Sequence, residues 1–460
     1  MTKMLQCISP IDGSVYAERP VLAPDAARDA VARARAAQKA WAARPLAERV
    51  ALVQNAVERL GAINDQVTEE LAWMMGRPTR YGGEFGGVNE RTQYMAGIAA
   101  EGLADIVLED SDTFRRFIRR APHGVVFVIA PWNYPYMTAI NTVVPALIAG
   151  NSVVLKHATQ TLLVGERLAQ CFHQAGVPGE VFQNVFLDHD TTEALISEGR
   201  FDFINFTGSV AGGARIERAS AGTFTGLGLE LGGKDPGYVA DDADLDAAVA
   251  TLMDAAMYNA GQCCCGIERI YVHESLYDAF VDKAVDFAKG YKLGNPLDAA
   301  TTLGPMAAKR FAEVVRDQIA QAVAAGATAH VETFPEDDGA TYLTPQVLTG
   351  VTHEMEVMRE ESFGPVVGIM KVAGDEDALA LMNDSQYGLT VSLWTEDADR
   401  AERLGDRLET GTIFMNRADY LDPGLCWTGC KNTGRGGSLS ILGFHNLTRP
   451  KSYHLKKVTT

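Results

Sequence analysis

The sequence predicts a doubly wound α/β fold of two lobes with a small β extension. Three observations carry this. Continuous apolar runs such as Val125-Val126-Phe127-Val128-Ile129-Ala130 have the length and β-branched content of central parallel strands. Stretches with helical apolar spacing separate these runs, as expected of a parallel sheet whose crossovers are helices. The alternation then recurs in the second half, so a chain of 460 residues divides into two cores.

Taken in order, Ala26 to Ala43 and Leu46 to Leu60 carry apolar residues at helical spacing, with Gly61 as the expected stop. Phe114-Arg115-Arg116-Phe117-Ile118-Arg119-Arg120 alternates loosely and reads as an exposed ribbon, its arginines on a solvated strand face. After the Val125 strand, a helix-like stretch ends at Gly150, and Ser152 to Leu155 and Phe201 to Phe206 give two further strands. Helix Asp244 to Tyr258 precedes Asn259-Ala260-Gly261, which breaks it. Arg269 to His273, Val366 to Lys371 and Gly411 to Asn416 read as strands, and Leu276 to Lys289 and Arg310 to Ala325 as helices.

Composition narrows the function. Apolar residues make up 47% and charged residues 22%, ordinary for a globular enzyme. A net charge of −18 argues against nucleic acid and an anionic membrane surface as partners. The amino terminus lacks a secretory pattern, and no apolar run reaches the length of a membrane span. Seven cysteines, three of them adjacent, do not resemble a disulfide framework, so a reduced cytoplasm is expected. Adjacent residues point in different directions, which makes the triplet by itself a poor metal cage, and no metal site is predicted.

Four segments can carry chemistry. Cys263-Cys264-Cys265 follow Asn259-Ala260-Gly261-Gln262 on a loop, where one thiol can face a cleft while its neighbours form wall or packing. Glu230, before Leu231-Gly232-Gly233-Lys234, suits a carboxylate at a strand end; alone it could equally be an exposed loop acid. Gly208-Ser209-Val210-Ala211-Gly212-Gly213 opens a helix after a strand and offers unpaired N–H groups to a phosphate, although many turns look alike. Pro131-Trp132-Asn133-Tyr134-Pro135 is a stiff strand end whose Asn133 can donate to an oxyanion or simply cap itself.

Pro-Trp-Asn at 131, Phe-Thr-Gly-Ser at 206, Glu-Leu-Gly-Gly-Lys at 230, Gly-Gln-Cys-Cys at 261 and Glu-Glu-Ser-Phe-Gly-Pro at 360 occur in one order. Together they resemble the NAD(P)+-dependent aldehyde dehydrogenase superfamily over nearly the whole chain. The resemblance implies a cofactor-binding domain over 1–110 and 122–232, a catalytic domain over 233–428, and oligomerisation strands over 111–121 and 445–460. It implies Cys264 as nucleophile, Glu230 as general base and Asn133 with the Cys264 N–H as oxyanion hole. Lys156 and Glu361 match residues that hold cofactor ribose hydroxyls, Ser209 a pyrophosphate contact, and Phe363 the residue near the nicotinamide. Gly208 and Gly213 match the glycines of that turn, and Trp132, Thr159 and Leu231 complete the cofactor side. The substrate pocket implied by position comprises Tyr134, Met137, Asn141, Tyr258, Cys263, Cys265, Arg417, Asp419 and Leu421.

The implied reaction is oxidation of an aldehyde through a cysteine thioester that water hydrolyses, in a homodimer or homotetramer. Acyl transfer to CoA, a non-catalytic protein on the same scaffold and a cysteine hydrolase are the rivals. Glu230 opposes the first, the intact set of three the second, and the lack of a local histidine base the third. The chain departs from the family at Lys156-His157-Ala158-Thr159, where glutamate often stands in place of Thr159. A glutamate there would repel a 2′-phosphate, so NADP+ is expected to be tolerated or preferred beside NAD+. His157 reads as packing rather than cofactor contact. Arg417 could anchor an anionic aldehyde or pair with Asp419 or Asp422.

Overall fold

The computed structural model describes residues 3–457. The ends of the expected N-terminal and C-terminal segments, 1–2 and 458–460, lie outside the described residues. Two twisted sheets organise the chain. The first has six strands in the order Gly434–Arg435, Gly226–Glu230, Phe203–Thr207, Val125–Ile129, Ser152–Lys156, Phe182–Asn184. Its five last-named members run parallel, and Gly434–Arg435 joins antiparallel to Gly226–Glu230. The second has seven, in the order Thr328–Ala329, Gln346–Thr349, Val366–Val372, Ile267–His273, Asp235–Val239, Thr390–Trp394, Thr412–Met415. Helices cover both faces, so the predicted doubly wound α/β class holds.

Elements differ from expectation where local chemistry misleads. The strand Asp235–Val239 is fully buried, yet Pro236 and Gly237 disguise it. Its register shifts at Asp235/Pro236, where proline has no N–H to give the ladder, and a Cβ at Gly237 would meet Leu252 at 2.7 Å. The helix Leu46–Ala62 ends one residue past the expected stop at Gly61, whose Cβ would stand 2.6 Å from the Phe85 ring. Ile106–Asp110, unforeseen, pairs with Phe114–Pro122, which in turn pairs with Thr448–Lys456. In this ribbon Arg116 bonds Glu109 at 2.8 Å, Arg119 bonds Asp105 at 2.7 Å, and Phe117 stacks on Tyr453. Arg116 and Arg119 are therefore paired along the strand face, whereas the buried Arg120 Nε has no partner among the described residues. Val107 and Leu108 stay exposed on the ribbon's edge strand.

One helix of the first lobe carries residues to a cavity. Pro135–Ala149 is apolar nearly all round and buried beside the first sheet, with only its first turns reaching toward the second lobe's loops. Among the described residues, no helix is long and apolar enough to cross a membrane.

Candidate active site

The cysteine loop is held by strain and counter-bonds. Helix Leu245–Met257 starts at a cap where Asp244 accepts from the Ala247 N–H at 3.1 Å. After it Asn259, Ala260 and Gly261 take φ of 55°, 55° and 68°. Left-handed backbone at a non-glycine residue costs about 1–2 kcal/mol, so partners must hold it. Asn259 Nδ2 donates to the Asn133 and Gln262 carbonyls at 3.3 and 3.2 Å, and Gln262 Nε2 donates back to the Asn259 carbonyl at 3.0 Å. Gly261 abuts the Gly364 carbonyl where a Cβ would not fit. Asn133 Nδ2 donates to the Gln262 carbonyl at 3.2 Å, tying the Pro-Trp-Asn turn directly to the loop.

Beneath both turns lies a buried ion pair. Arg77 meets Glu84 at 2.7 Å and donates to the Asn133 carbonyl at 2.6 Å and to Asn259 Oδ1 at 3.3 Å. Burial pushes the Arg77 pKa down, but the Glu84 charge overrides it and leaves a fixed cation. Glu84 also accepts from the N–H groups of Tyr136 and Met137 at 2.9 and 2.7 Å, where the helix Pro135–Ala149 presents its positive end.

Cys264 and Glu230 line one cavity, together with Asn141, Leu231, Leu421 and Trp427. Cys264 is half-buried, whereas Cys263 and Cys265 are 4% and 1% exposed. The Cys264 N–H has no hydrogen-bond partner among the described residues. The adjacent Cys263 and Cys265 thiols hold the Cys264 pKa below the ordinary thiol value, against burial. Glu230 ends its strand and accepts from Thr207 Oγ1 at 3.2 Å; burial raises its pKa. The following glycines are dictated by proximity, since a Cβ at Gly233 would stand 2.5 Å from the Cys264 carbonyl oxygen.

The predicted cofactor residues gather at the carboxyl ends of the first sheet's strands, the crevice where such sheets bind ligands. Lys156 is buried, its Nζ has no hydrogen-bond partner among the described residues, and burial lowers its pKa to about 8. Thr159 opens a short turn two residues beyond His157. His157 is tied up internally: Nδ1 accepts from the Ala158 N–H at 3.0 Å and Nε2 donates to the Pro135 carbonyl at 3.1 Å. Burial lowers its pKa to about 4, so the ring is neutral. Ser209 caps helix Val210–Ser220 by accepting from the Gly212 N–H, and the Gly208 N–H bonds the Glu230 carbonyl at 3.0 Å. Gly213 packs on Leu231, where a Cβ would come within 2.6 Å.

Across the crevice, Glu361 accepts from the Gly233 N–H at 3.0 Å and is pushed up to about 8, first by burial and then by Glu268. Glu268, paired with Lys234 at 2.5 Å, accepts from the N–H groups of Ser362 and Phe363 and fixes that segment. Phe363 then sets its ring edge against Trp132, with centroids 5.5 Å apart.

Of the predicted pocket residues, Asn141 and Leu421 line the cavity. Tyr134 lies under Arg77 at 4.8 Å, Tyr258 meets Tyr81 edge-on, Met137 packs on Gly87, and Leu421 packs with the cysteines. Asp419 Oδ1 accepts from Cys265 at 2.9 Å and from Cys263 at 3.3 Å. Arg417 corrects the expectation. It is exposed, absent from the cavity wall, and lies over the Tyr420 ring at 3.7 Å, pairing with neither Asp419 nor Asp422. Backbone direction decides this, because Asn416 and Asp419 both take positive φ and turn the segment outward between them. Sequence reasoning also missed Arg77, Glu84, Arg91 and Trp427, which sit in no periodic or motif context. Arg91 is 7% exposed and donates to Asn141 Oδ1 at 3.2 Å.

Residues 1–453 match the family model described as "Aldehyde dehydrogenase family". The chain is 32% identical over 446 residues to a succinate-semialdehyde dehydrogenase [NADP(+)] of Deinococcus radiodurans, covering 96% of this chain and 93% of that protein. Its fold is similar to an indole-3-acetaldehyde dehydrogenase structure with NAD+, at TM-score 0.94 and 30% identity over 99% of this chain and 93% of that one. It is also similar to a 3,6-anhydro-L-galactose dehydrogenase structure in complex with NAP, at TM-score 0.92 and 30% identity over 98% of this chain and 96% of that one. The chain therefore belongs to the aldehyde dehydrogenase family, as an NAD(P)+-dependent oxidoreductase acting on the aldehyde group.

Proposed function

We propose that this enzyme oxidises an aldehyde bearing a distal hydrogen-bond-accepting oxygen, through a Cys264 thioester that Glu230-activated water hydrolyses. The observation that carries it is the single cavity shared by Cys264, Glu230 and Asn141, with Asn133 bonded to the cysteine loop. Cys264 thiolate adds to the aldehyde carbon, and the carbonyl electron pair moves to oxygen. The free Cys264 N–H and the second hydrogen of Asn133 Nδ2 are the donors for that oxyanion, worth about 3–4 kcal/mol per donor in such sites. As the oxyanion re-forms the carbonyl, the C–H bond breaks and its electron pair leaves as hydride, giving the thioester; a bound nicotinamide would supply the acceptor. Glu230 then takes a proton from water as the water attacks the thioester, and the thiolate leaves. A Glu230 pKa raised by burial suits a base working near neutrality.

The cofactor side fits a dinucleotide on two features. Among the described residues the buried Lys156 Nζ has no protein partner, and the capped helix at Ser209 directs N–H groups outward. Lys156 and Glu361 would hold ribose hydroxyls, and Trp132 and Phe363 would border the nicotinamide. Thr159 brings no negative charge beside the 2′ position, which supports use of NADP+ as well as NAD+. Thr159→Glu is expected to lower kcat/KM for NADP+ about 10- to 100-fold, with NAD+ changed only a few-fold. Steady-state kinetics with both cofactors measures this, and equal losses would remove Thr159 from the selection. For the native enzyme, KM for NADP+ should rise as pH passes about 8, where Lys156 loses its charge.

Asn141 supports the substrate reading. Its oxygen is engaged by Arg91, its Nδ2 has no partner among the described residues, and the residue lines the cavity while only 2% exposed. That donor belongs to a residue of the cavity wall, so an aldehyde with a carboxylate, carbonyl or hydroxyl at its far end can pair with it where an alkyl one cannot. Semialdehydes of the kind named for the Deinococcus relative meet this requirement. Asn141→Ala is expected to cost about 10-fold in kcat/KM for such a substrate and little for an alkyl aldehyde of equal length. An equal loss for both would refute the assignment.

We assign the cofactor-binding domain to 1–110 and 122–232, the catalytic domain to 233–428, and oligomer contacts to 111–121 and 445–460. The exposed Val107 and Leu108 beside that ribbon support burial in a homodimer or homotetramer. A reducing cytoplasm suits a mechanism that needs one free thiolate among three adjacent thiols.

A further inference from the structure

We propose that Cys263, Cys265 and Asp419 form a binding site for a thiophilic divalent cation, zinc or cadmium, and that its occupation silences the enzyme. Adjacent cysteines diverge, which is why the triplet alone makes a poor cage. Alternate residues do not: Cys263 and Cys265 turn their sulfurs to one side, 3.5 Å apart, with Cys264 between them in sequence. Asp419, more than 150 residues away in the chain, brings one carboxylate oxygen to both, at 3.3 and 2.9 Å. The three ligand atoms lie within 4.8 Å of one another, the one such group of three or more among the described residues.

The triangle matches a tetrahedral face. With Zn–S of about 2.3 Å and Zn–O of about 2.0–2.2 Å, the edges between ligands are about 3.6–3.8 Å. Each observed edge needs to open by less than about 1 Å to reach that spacing. Among the described residues, Asp419 meets no ammonium, guanidinium or N–H group; two thiols are its only hydrogen-bond partners. A cation would replace the two S–H protons, which leave to solvent as two metal–sulfur bonds and one metal–oxygen bond form. The site then carries a net charge of about −1 from a divalent ion, two thiolates and one carboxylate. Soft thiolate ligands select zinc and cadmium over magnesium or calcium.

Occupation bears on catalysis through Cys264, and that part rests on its proposed role as nucleophile. Cys264 lies between the two sulfur ligands in sequence, so closing both onto one cation re-sets the short loop that aims its sulfur into the cavity. Binding itself does not depend on that role, so the two are tested apart. Cadmium is titrated into the full-length protein carrying Cys264→Ala, followed by the ultraviolet thiolate-to-cadmium charge-transfer band. One equivalent with the intensity of two thiolates is expected, weakened at least tenfold by Cys263→Ser, Cys265→Ser or Asp419→Asn added to that background. The cadmium NMR shift of the Cys264→Ala protein reads the same two-sulfur set without a further substitution, should a variant fail to fold. No band, a one-sulfur shift, or a band that survives both serine variants overturns the site. In the native enzyme, cadmium should inhibit with the same midpoint and a chelator should restore activity; full turnover with the site loaded overturns the silencing. A protein that binds cadmium but oxidises no aldehyde would sink the proposed function and leave the site standing.

Discussion

Replacing Cys264 with alanine abolishes aldehyde oxidation, lowering NAD(P)H formation by at least about 10⁴-fold, while cofactor affinity changes only a few-fold. The thiol is the one nucleophile on the cavity wall whose acidity is raised, and no other cysteine can substitute for it. Cys263 and Cys265 are buried and their thiol pKa values are pushed up, the first to about 12. Lys156, Ser209 and Glu361 are untouched by the change, so the dinucleotide still binds. Steady-state rates with an aldehyde panel and calorimetric titration of the cofactor test both halves. Undiminished turnover in the alanine variant would end the assignment.

Glu230→Gln separates the two chemical stages. Acylation survives, so one equivalent of NAD(P)H appears in a burst, and steady-state turnover then falls about 10²- to 10⁴-fold because nothing accepts the proton of the attacking water. The sign of the pH dependence follows from burial. Glu230 has a raised pKa, so it is protonated, and inactive as a base, at pH values where an ordinary glutamate is already ionised. The native kcat should therefore decline as pH falls through that raised value. The glutamine variant should lose this acid limb. A variant that turns over at the native rate, or one that shows no burst, would exclude Glu230 from hydrolysis.

How much was legible depended on the range of the interactions involved. The strand Val125–Ile129 and helix Leu245–Met257 were readable because burial on all sides, or on one stripe, imprints itself on consecutive residues. The Asn259-Ala260-Gly261 break was readable because glycine at a positive φ is a local requirement. The strand Asp235–Val239 was not, since its proline and glycine answer to a register shift and to Leu252 rather than to strand propensity. Arg77, Glu84 and Arg91 left no pattern at all, because a buried ion pair is recognisable only once its partners meet.

By itself the sequence determined the α/β class, the alternation of strands and helices, and the reactive groups, each delivered by a short turn with its own local logic. Tertiary structure alone decided that Glu230 and Cys264 share one cavity with Asn133 tied to the cysteine loop, and that Cys264 rather than its neighbours faces that cavity. It also turned Arg417 to solvent and Asp419 inward against two thiols. The physical reason is that side-chain direction on irregular backbone follows from φ and ψ values set by distant partners, the Gly364 and Cys264 carbonyls among them, which no neighbouring residue records.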